Sequence, residues 1–240
     1  MPGELLDLSC SIVLPAHDEA DNIDACLDAV TKAAERFFVD HEVIVVDDGS
    51  RDATADRVLR RAELDPRIRL VRHEDNRGYG DALRSGFAAA TRDLLFFTDA
   101  DNQFDLDEVA GLTALIDRFD VVAGYRMNRQ EGWRRRAGAH AWNLLVRTAF
   151  RLPLRDIDCA FKLIKRPLLQ DIELHATGAM VNTEMITLLM SRGATVTEIG
   201  VTHLPRTAGE ASGGDLRVIA RAFRELAVLY PNLRRTLRKR

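Results

Sequence analysis

Two carboxylates one residue apart, Asp99 and Asp101, stand directly after the apolar run Leu94-Leu95-Phe96-Phe97-Thr98, and an amide, Gln103, follows two residues later. The run reads as a buried strand. Acids and an amide at its end supply the hard oxygen ligands that a divalent cation shares with a diphosphate. Three earlier apolar runs also end in polar clusters: Pro15-Ala16-His17-Asp18-Glu19, Asp47-Asp48-Gly49-Ser50 and Asp75-Asn76-Arg77-Gly78. Singly, such clusters can be helix caps, because Asp and Ser favour that position, and Asp18, Ser50 and Asp52 fit that role. Four in register, two with paired acids, point instead to one crevice. There, acids after the first two strands can accept hydrogen bonds from nucleobase N–H groups and ribose hydroxyls, while those after the fourth hold a cation.

The elements that must bring these ends together are legible as alternation. Strands are expected at 11–14, 42–46, 68–71, 94–98 and 120–123, with helices between them at 23–37, 53–62, 82–90 and 106–116. Strand–helix alternation with β-branched strands predicts an α/β fold: a doubly wound, mostly parallel sheet with helices on both faces. Ligands then bind at the carboxyl ends of the strands. Beyond Gly124 the pattern loosens. Helices are expected near 140–150 and 183–191, strands at 161–164 and 195–199, and a last helix from about 215 to 230. No internal repeat or low-complexity linker divides the chain, so residues 1–240 read as a single domain.

Composition narrows the classes. A hydrophobic share of 46% with 30% charged residues suits a soluble globular protein, and a net charge of −3 argues against a general nucleic-acid binder. Three widely spaced cysteines imply neither a zinc site nor a disulfide framework, which fits a cytoplasmic location. Neither a signal peptide nor a membrane-spanning run is expected. Residues 204–240 carry nine Arg/Lys against three Asp/Glu. With the amphipathic pattern Leu216, Ile219, Phe223, Leu226 and Tyr230 opposite Arg217, Arg221 and Arg224, they suit peripheral contact with an anionic leaflet, or equally a helix packed on the domain with its arginines in water.

The turn Gly78-Tyr79-Gly80-Asp81-Ala82-Leu83 lacks the third glycine of the dinucleotide fingerprint, so it is open to two readings, a structural turn and a nucleotide contact. Residues 126–136 hold five arginines. A guanidinium grips phosphate bidentately, so the segment suits a phosphate acceptor. Its alternative is a solvated loop. Glu184 could serve as base for a hydroxyl acceptor, or be an ordinary helix acid.

The ordered motifs Pro15–Glu19, Asp47–Ser50, Asn76–Ala82 and Asp99–Gln103 resemble family 2 glycosyltransferases of the GT-A fold over roughly residues 9–210. Gly124-Tyr125-Arg126 and Asp156–Lys162 make the chain most similar to polyprenyl-phosphate sugar synthases of the dolichyl-phosphate mannose synthase type. The resemblance implies a nucleotide-binding half (9–124), an acceptor-side half (125–210) and a terminal helix with a basic tail (211–240). Pro15, His17, Glu19, Asp48 and Gly78 would line the nucleoside pocket, with Asp99 facing ribose and sugar diphosphate. Asp101 and Gln103 would hold Mg²⁺ or Mn²⁺. Arg206 would reach the diphosphate, while Arg126 and an arginine of 134–136, with Arg136 the candidate, would receive the acceptor phosphate. Arg134, Arg135, Lys162 and Glu184 complete the acceptor side.

The expected activity is inverting transfer of a hexose from a nucleotide-diphosphate sugar to polyprenyl phosphate at the cytoplasmic membrane face. A soluble or protein-bound hydroxyl acceptor is the alternative. A non-catalytic nucleotide-sugar-binding or receiver-like module is the reading from another class. Departures from the pattern are His17, where an aromatic or small residue is usual, and Asp105-Leu106 in place of Pro-Pro.

Overall fold

The computed structural model describes residues 6–127, 133–206 and 216–238; the side chains of Leu6, 133–136, 216–219 and Arg238 lie outside that description. β1 (Leu6–Ala16), α1 (Ala20–Phe37), β2 (Phe38–Asp48), α2 (Thr54–Leu64), β3 (Ile68–His73), α3 (Tyr79–Ala89) and β4 (Leu94–Thr98) follow in strict alternation. A single 3-10 turn (Leu106–Glu108) leads into α4 (Val109–Ile116) and β5 (Val121–Met127). Then come α5 (Trp133–Phe150), β6 (Phe161–Lys165), α6 (Pro167–Gln170), α7 (Met180–Ser191), β7 (Val196–Thr202) and α8 (Leu216–Arg238).

The strands form one sheet in the order β3-β2-β1-β4-β6-β5-β7. β6 alone runs antiparallel to its neighbours. The chain winds outward from β1 through β2 to β3, then crosses to β4 on the other side of β1. That reversal opens a crevice at the carboxyl ends of β1 and β4. β6 occupies the place beside β4 that simple winding would have given to β5, and it pairs Phe161 with Thr98. The segment just before β6 is thereby delivered to the end of β4, next to Asp99.

The core explains the order. All five residues of β4 are buried, as a central strand covered on both faces requires. Phe96 packs edge-on against Phe161 with centroids 4.9 Å apart, and Phe97 against Phe87 at 5.6 Å. Burying side chains of this size contributes about 1.5–3 kcal/mol each. Ile23, Leu27, Val30, Ala34 and Phe37 form the buried stripe of α1 at alternating four- and three-residue spacing. α8 runs further than expected, continuing past Pro231 to Arg238. Leu229 and Leu233, on either side of the proline, are both buried, so packing holds a helix that the proline alone would break.

Candidate active site

The metal-type loop is held from three directions. Asn102 adopts φ 58°, a left-handed conformation that Asn tolerates, and its amide donates to Asn22 O at 3.0 Å. Gln103 N–H donates to Asp101 Oδ1 at 3.2 Å. Gln103 Nε2 donates to Leu204 O at 3.1 Å, while Leu204 N–H donates to Gln103 O at 2.8 Å. These last bonds fasten the segment after β7 onto the acid loop and bring Arg206 into the crevice. Its guanidinium donates to Glu19 Oε1 at 2.5 Å and stands 3.5 Å from Asp101 Oδ2. Glu19 Oε2 in turn accepts from Asn22 Nδ2 at 2.6 Å.

Asp99 and Asp101 both have carboxyls raised above the usual range. For Asp99, burial comes first and the charge of Asp101 second, with Arg126, Tyr79 and Lys162 opposing. For Asp101, burial comes first, opposed by the Gln103 N–H and Arg206 and assisted by Glu19. Among the described residues no three His, Cys, Asp or Glu side chains converge as a closed metal cage. The oxygens on offer are one or two carboxylates and the amide of Gln103. That set suits Mg²⁺ or Mn²⁺ completing its shell with substrate phosphate and water.

Asp48 sits under the glycine turn. Its Oδ1 accepts from His73 Nδ1 at 2.7 Å and Arg77 N–H at 2.9 Å, and its Oδ2 from Gly78 N–H at 2.8 Å. His73 Nε2 is bonded to Ser85 Oγ at 2.8 Å, which completes the assignment of its ring. Gly78 has φ +105°, and a Cβ there would lie 2.4 Å from Thr177 O. At Gly80 a Cβ would lie 2.3 Å from Ala176 O. Of the two readings open for these glycines, the described contacts supply the structural one: close approach to the 174–178 loop. Pro15 lies opposite Val46 one residue before the end of β1, and exposed His17 bonds through Nδ1 with Asp48 O at 2.9 Å. Asp52 stands one residue before the N-cap position of α2, Ala53, and accepts from the first N–H of both helices, Thr54 at 2.9 Å and Ala20 at 3.0 Å.

On the acceptor side, Arg126 is clasped by Asp156: Nε to Oδ2 at 2.7 Å and Nη2 to Oδ1 at 2.8 Å. Lys162 is wholly buried. Its ammonium donates to Ile157 O at 2.9 Å, to Cys159 O and to Asn182 Oδ1 at 3.2 Å, and lies 5.3 Å from the Phe97 ring centroid. Burial holds its pKa below the ordinary lysine value. Glu184 is also buried, and its Oε2 accepts from His175 N–H at 2.9 Å and Ala176 N–H at 2.8 Å. Of these two candidates for the acceptor side, Lys162 holds backbone and the Asn182 amide, and Glu184 holds backbone. Arg134, Arg135 and Arg136 fall in the first turn of α5, with side chains outside the described residues; Arg129 lies outside them altogether.

Three residues were not singled out from sequence. Tyr79 stands beside Asp99 and Asn182, and burial followed by the charge of Asp99 raises its phenol well above the ordinary tyrosine value. Asp156 holds Arg126, and Asp158 lies beside Trp142. Their signal lay in the glycine turn and in the run 156–162, but only the antiparallel register of β6 puts that run at the end of β4.

A switch-point crevice with an acid loop, a returning arginine and a tightly packed glycine turn belongs to the GT-A class of α/β folds. A family model described as glycosyl transferase family 2 matches residues 11–173, and the chain belongs to that family. It is 31% identical over 212 residues to undecaprenyl-phosphate 4-deoxy-4-formamido-L-arabinose transferase of Enterobacter sp. (strain 638), covering 87% of this chain. It is 30% identical over 217 residues to the protein of the same name from Serratia proteamaculans (strain 568), again covering 87%. The chain spans 64% of the length of each relative. Among solved structures it resembles glucosyl-3-phosphoglycerate synthase from Mycobacterium tuberculosis in complex with Mn²⁺ and UDP-glucose. The TM-score is 0.69 at 21% identity, covering 92% of this chain and 78% of that one. That likeness shows the shared fold.

Proposed function

We propose that this chain is a divalent-cation-dependent, inverting hexosyltransferase that moves a sugar from a nucleotide-diphosphate carrier to polyprenyl phosphate. The observation that carries this reading is the convergence of Glu19, Asp101 and Arg206 at the β1/β4 crevice. Breaking the bond between anomeric carbon and diphosphate builds negative charge on the leaving group. Arg206 is fixed where it can meet that charge as it develops. Asp101 and Gln103 would hold the cation, which when bound supplies Lewis-acid neutralisation of the same two phosphates. Asp99, beside Tyr79, would face the sugar.

A phosphate acceptor is already ionised near neutral pH, its second pKa being about 6, so it needs cations and no base. Arg126 offers the Nη1 edge outside its fork with Asp156, and the arginines of 134–136 follow in the chain. A hydroxyl acceptor would need a base. Glu184, the candidate, is occupied by the backbone of 175–176. The names of the two relatives, both undecaprenyl-phosphate sugar transferases, support the same choice.

The reading places the reaction at the cytoplasmic face of a membrane, through peripheral contact. Among the described residues no helix is long and apolar enough to cross a bilayer. α5 and α8 pack through Trp142 with Phe223 and Phe150 with Tyr230, and expose Leu144, Leu145 and Val228. Arg221, Arg224 and Arg235 of α8 are exposed. Glu225, the one acid of 216–238, turns inward to Thr177 and Gly178. Arg221 is paired with Glu225 at 3.5 Å, and the exposed Arg224 and Arg235 beside leucines suit an anionic leaflet.

The test is incubation with Mn²⁺, a panel of UDP- and GDP-hexoses and polyprenyl phosphate. Labelled sugar is expected to pass into the organic phase. Nucleotide release stimulated by a soluble hydroxyl compound instead of the lipid would overturn the acceptor assignment.

A further inference from the structure

We propose that Asp158 recognises the sugar of the donor, its Oδ1 accepting a hydrogen bond from a hydroxyl of the hexose ring. This rests on the reading of the crevice as a nucleotide-sugar site and names a residue that sets its specificity.

Placement comes first. β6 is antiparallel to β4 with Phe161 opposite Thr98, so the turn 156–160 sits where β4 ends and Asp99 begins. Asp158 lies close enough to Tyr79, which stands beside Asp99, for its charge to act on that phenol. The neighbouring groups on the turn already have partners. Asp156 grips Arg126, and Lys162 donates to Ile157 O, Cys159 O and Asn182. The Trp142 indole lies beside the Asp158 carboxyl, and Trp142 is itself set by its edge-on contact with Phe223. Asp158 Oδ1 is closed off from solvent and has no hydrogen-bond partner among the described residues.

An enclosed carboxylate oxygen without a donor is costly, on the order of 1–3 kcal/mol or more, so its position calls for one. An ionised carboxylate only accepts. Its missing partner must therefore bring a hydrogen, and phosphate oxygens are excluded by charge. The diphosphate has its own contacts at Arg206 and the acid loop. The nucleobase and ribose fall to the acids after β1 and β2, so the group left for Asp158 is the hexose ring with its several hydroxyls, and the register of β6 on β4 puts the 156–160 turn at the Asp99 end of the crevice where that ring would lie. Bonds of this charge-assisted kind are about twice as strong as neutral ones, enough to choose between epimers.

Calorimetric titration in the presence of Mn²⁺ tests this, with UDP or GDP (whichever the wild type binds more tightly) compared with its hexose conjugates. In Asp158→Asn and Asp158→Ala the nucleoside diphosphate should bind within twofold of wild type. The conjugate that wild type prefers should weaken about tenfold or more, the range for a bond to a charged acceptor. A deoxy-sugar conjugate lacking the recognised hydroxyl should weaken in wild type and show no further loss in Asp158→Ala. Variants that bind the conjugate as wild type does, or that lose diphosphate and conjugate equally, overturn the proposal. Failure of the wild type to bind any of these nucleotides would overturn instead the site reading on which it rests.

Discussion

Arg206 Nη1 stands 3.5 Å from Asp101 Oδ2 while Nη2 of the same guanidinium bonds Glu19 at 2.5 Å, so one cation links acids from two strand ends. Arg206→Ala should cut kcat/KM by about 100-fold or more, the range for removing one preorganised charge-stabilising donor. Arg206→Lys should recover only part, since a point charge cannot span both acids. Steady-state kinetics on the two variants, with thermal melts as folding control, checks this.

The clasp of Asp156 on Arg126 is the second test. Asp156→Ala leaves a largely buried guanidinium without its two-point partner and should destabilise the fold by about 3–5 kcal/mol. Asp24→Ala, which breaks the exposed pair with Arg57, should cost no more than about 0.5 kcal/mol. Urea titration of both variants measures the contrast.

Gly78→Ala should damage site and fold together. At φ +105° any side chain is strained, and this one would strike Thr177 O. A loss of about 1–3 kcal/mol is expected, with weaker nucleotide binding, because Gly78 N–H is one of the donors that seat Asp48. Wild-type affinity for nucleotide in a normally stable variant would show that the turn has slack.

Two buried acids should give stability opposite slopes with pH. Burial, with Asp156 next in strength, pushes the Asp158 carboxyl up to about 6. The folded state therefore binds that proton more tightly, and stability from this group falls as pH rises from 3.8 through about 6. Burial alone would raise Glu42, but bonds from Ser11 and Thr91, with the charge of Arg69, hold it below 4.5. Its contribution is present above 4.5 and is lost as pH falls through the depressed folded value. Asp158→Asn should thus raise the melting temperature near neutral pH and leave it unchanged well below 3.8, while Glu42→Gln should lower it near neutral pH only. Melting curves across pH follow both.

How far the sequence could be read follows from what each element depends on. β1 to β4 were legible because their apolar runs and the polar clusters after them are local signals. The acid loop was legible because two acids after Thr98 have few other uses. The position of β6 was not, since Phe161–Lys165 reads as any short strand and its neighbours are chosen by long-range packing of Phe161 on Phe96 and Phe104. In the sequence Lys162 and Glu184 read as charges available to the acceptor, Glu184 equally as an ordinary helix acid. Only the tertiary structure shows one closed over Ile157 and Cys159 and the other under His175 and Ala176. The run of α8 past Pro231 was hidden for the same reason, because the leucines that hold it need a domain surface to pack against.

The account depends most on Asp101 holding a divalent cation against the donor diphosphate. Titrating Mn²⁺ into wild type and Asp101→Ala with saturating UDP or GDP, read by the bound paramagnetic ion, tests that claim directly. Wild type should take up one ion that requires the nucleotide, and the variant none at the same concentrations. Equal uptake by the two proteins, or uptake indifferent to nucleotide, would contradict it.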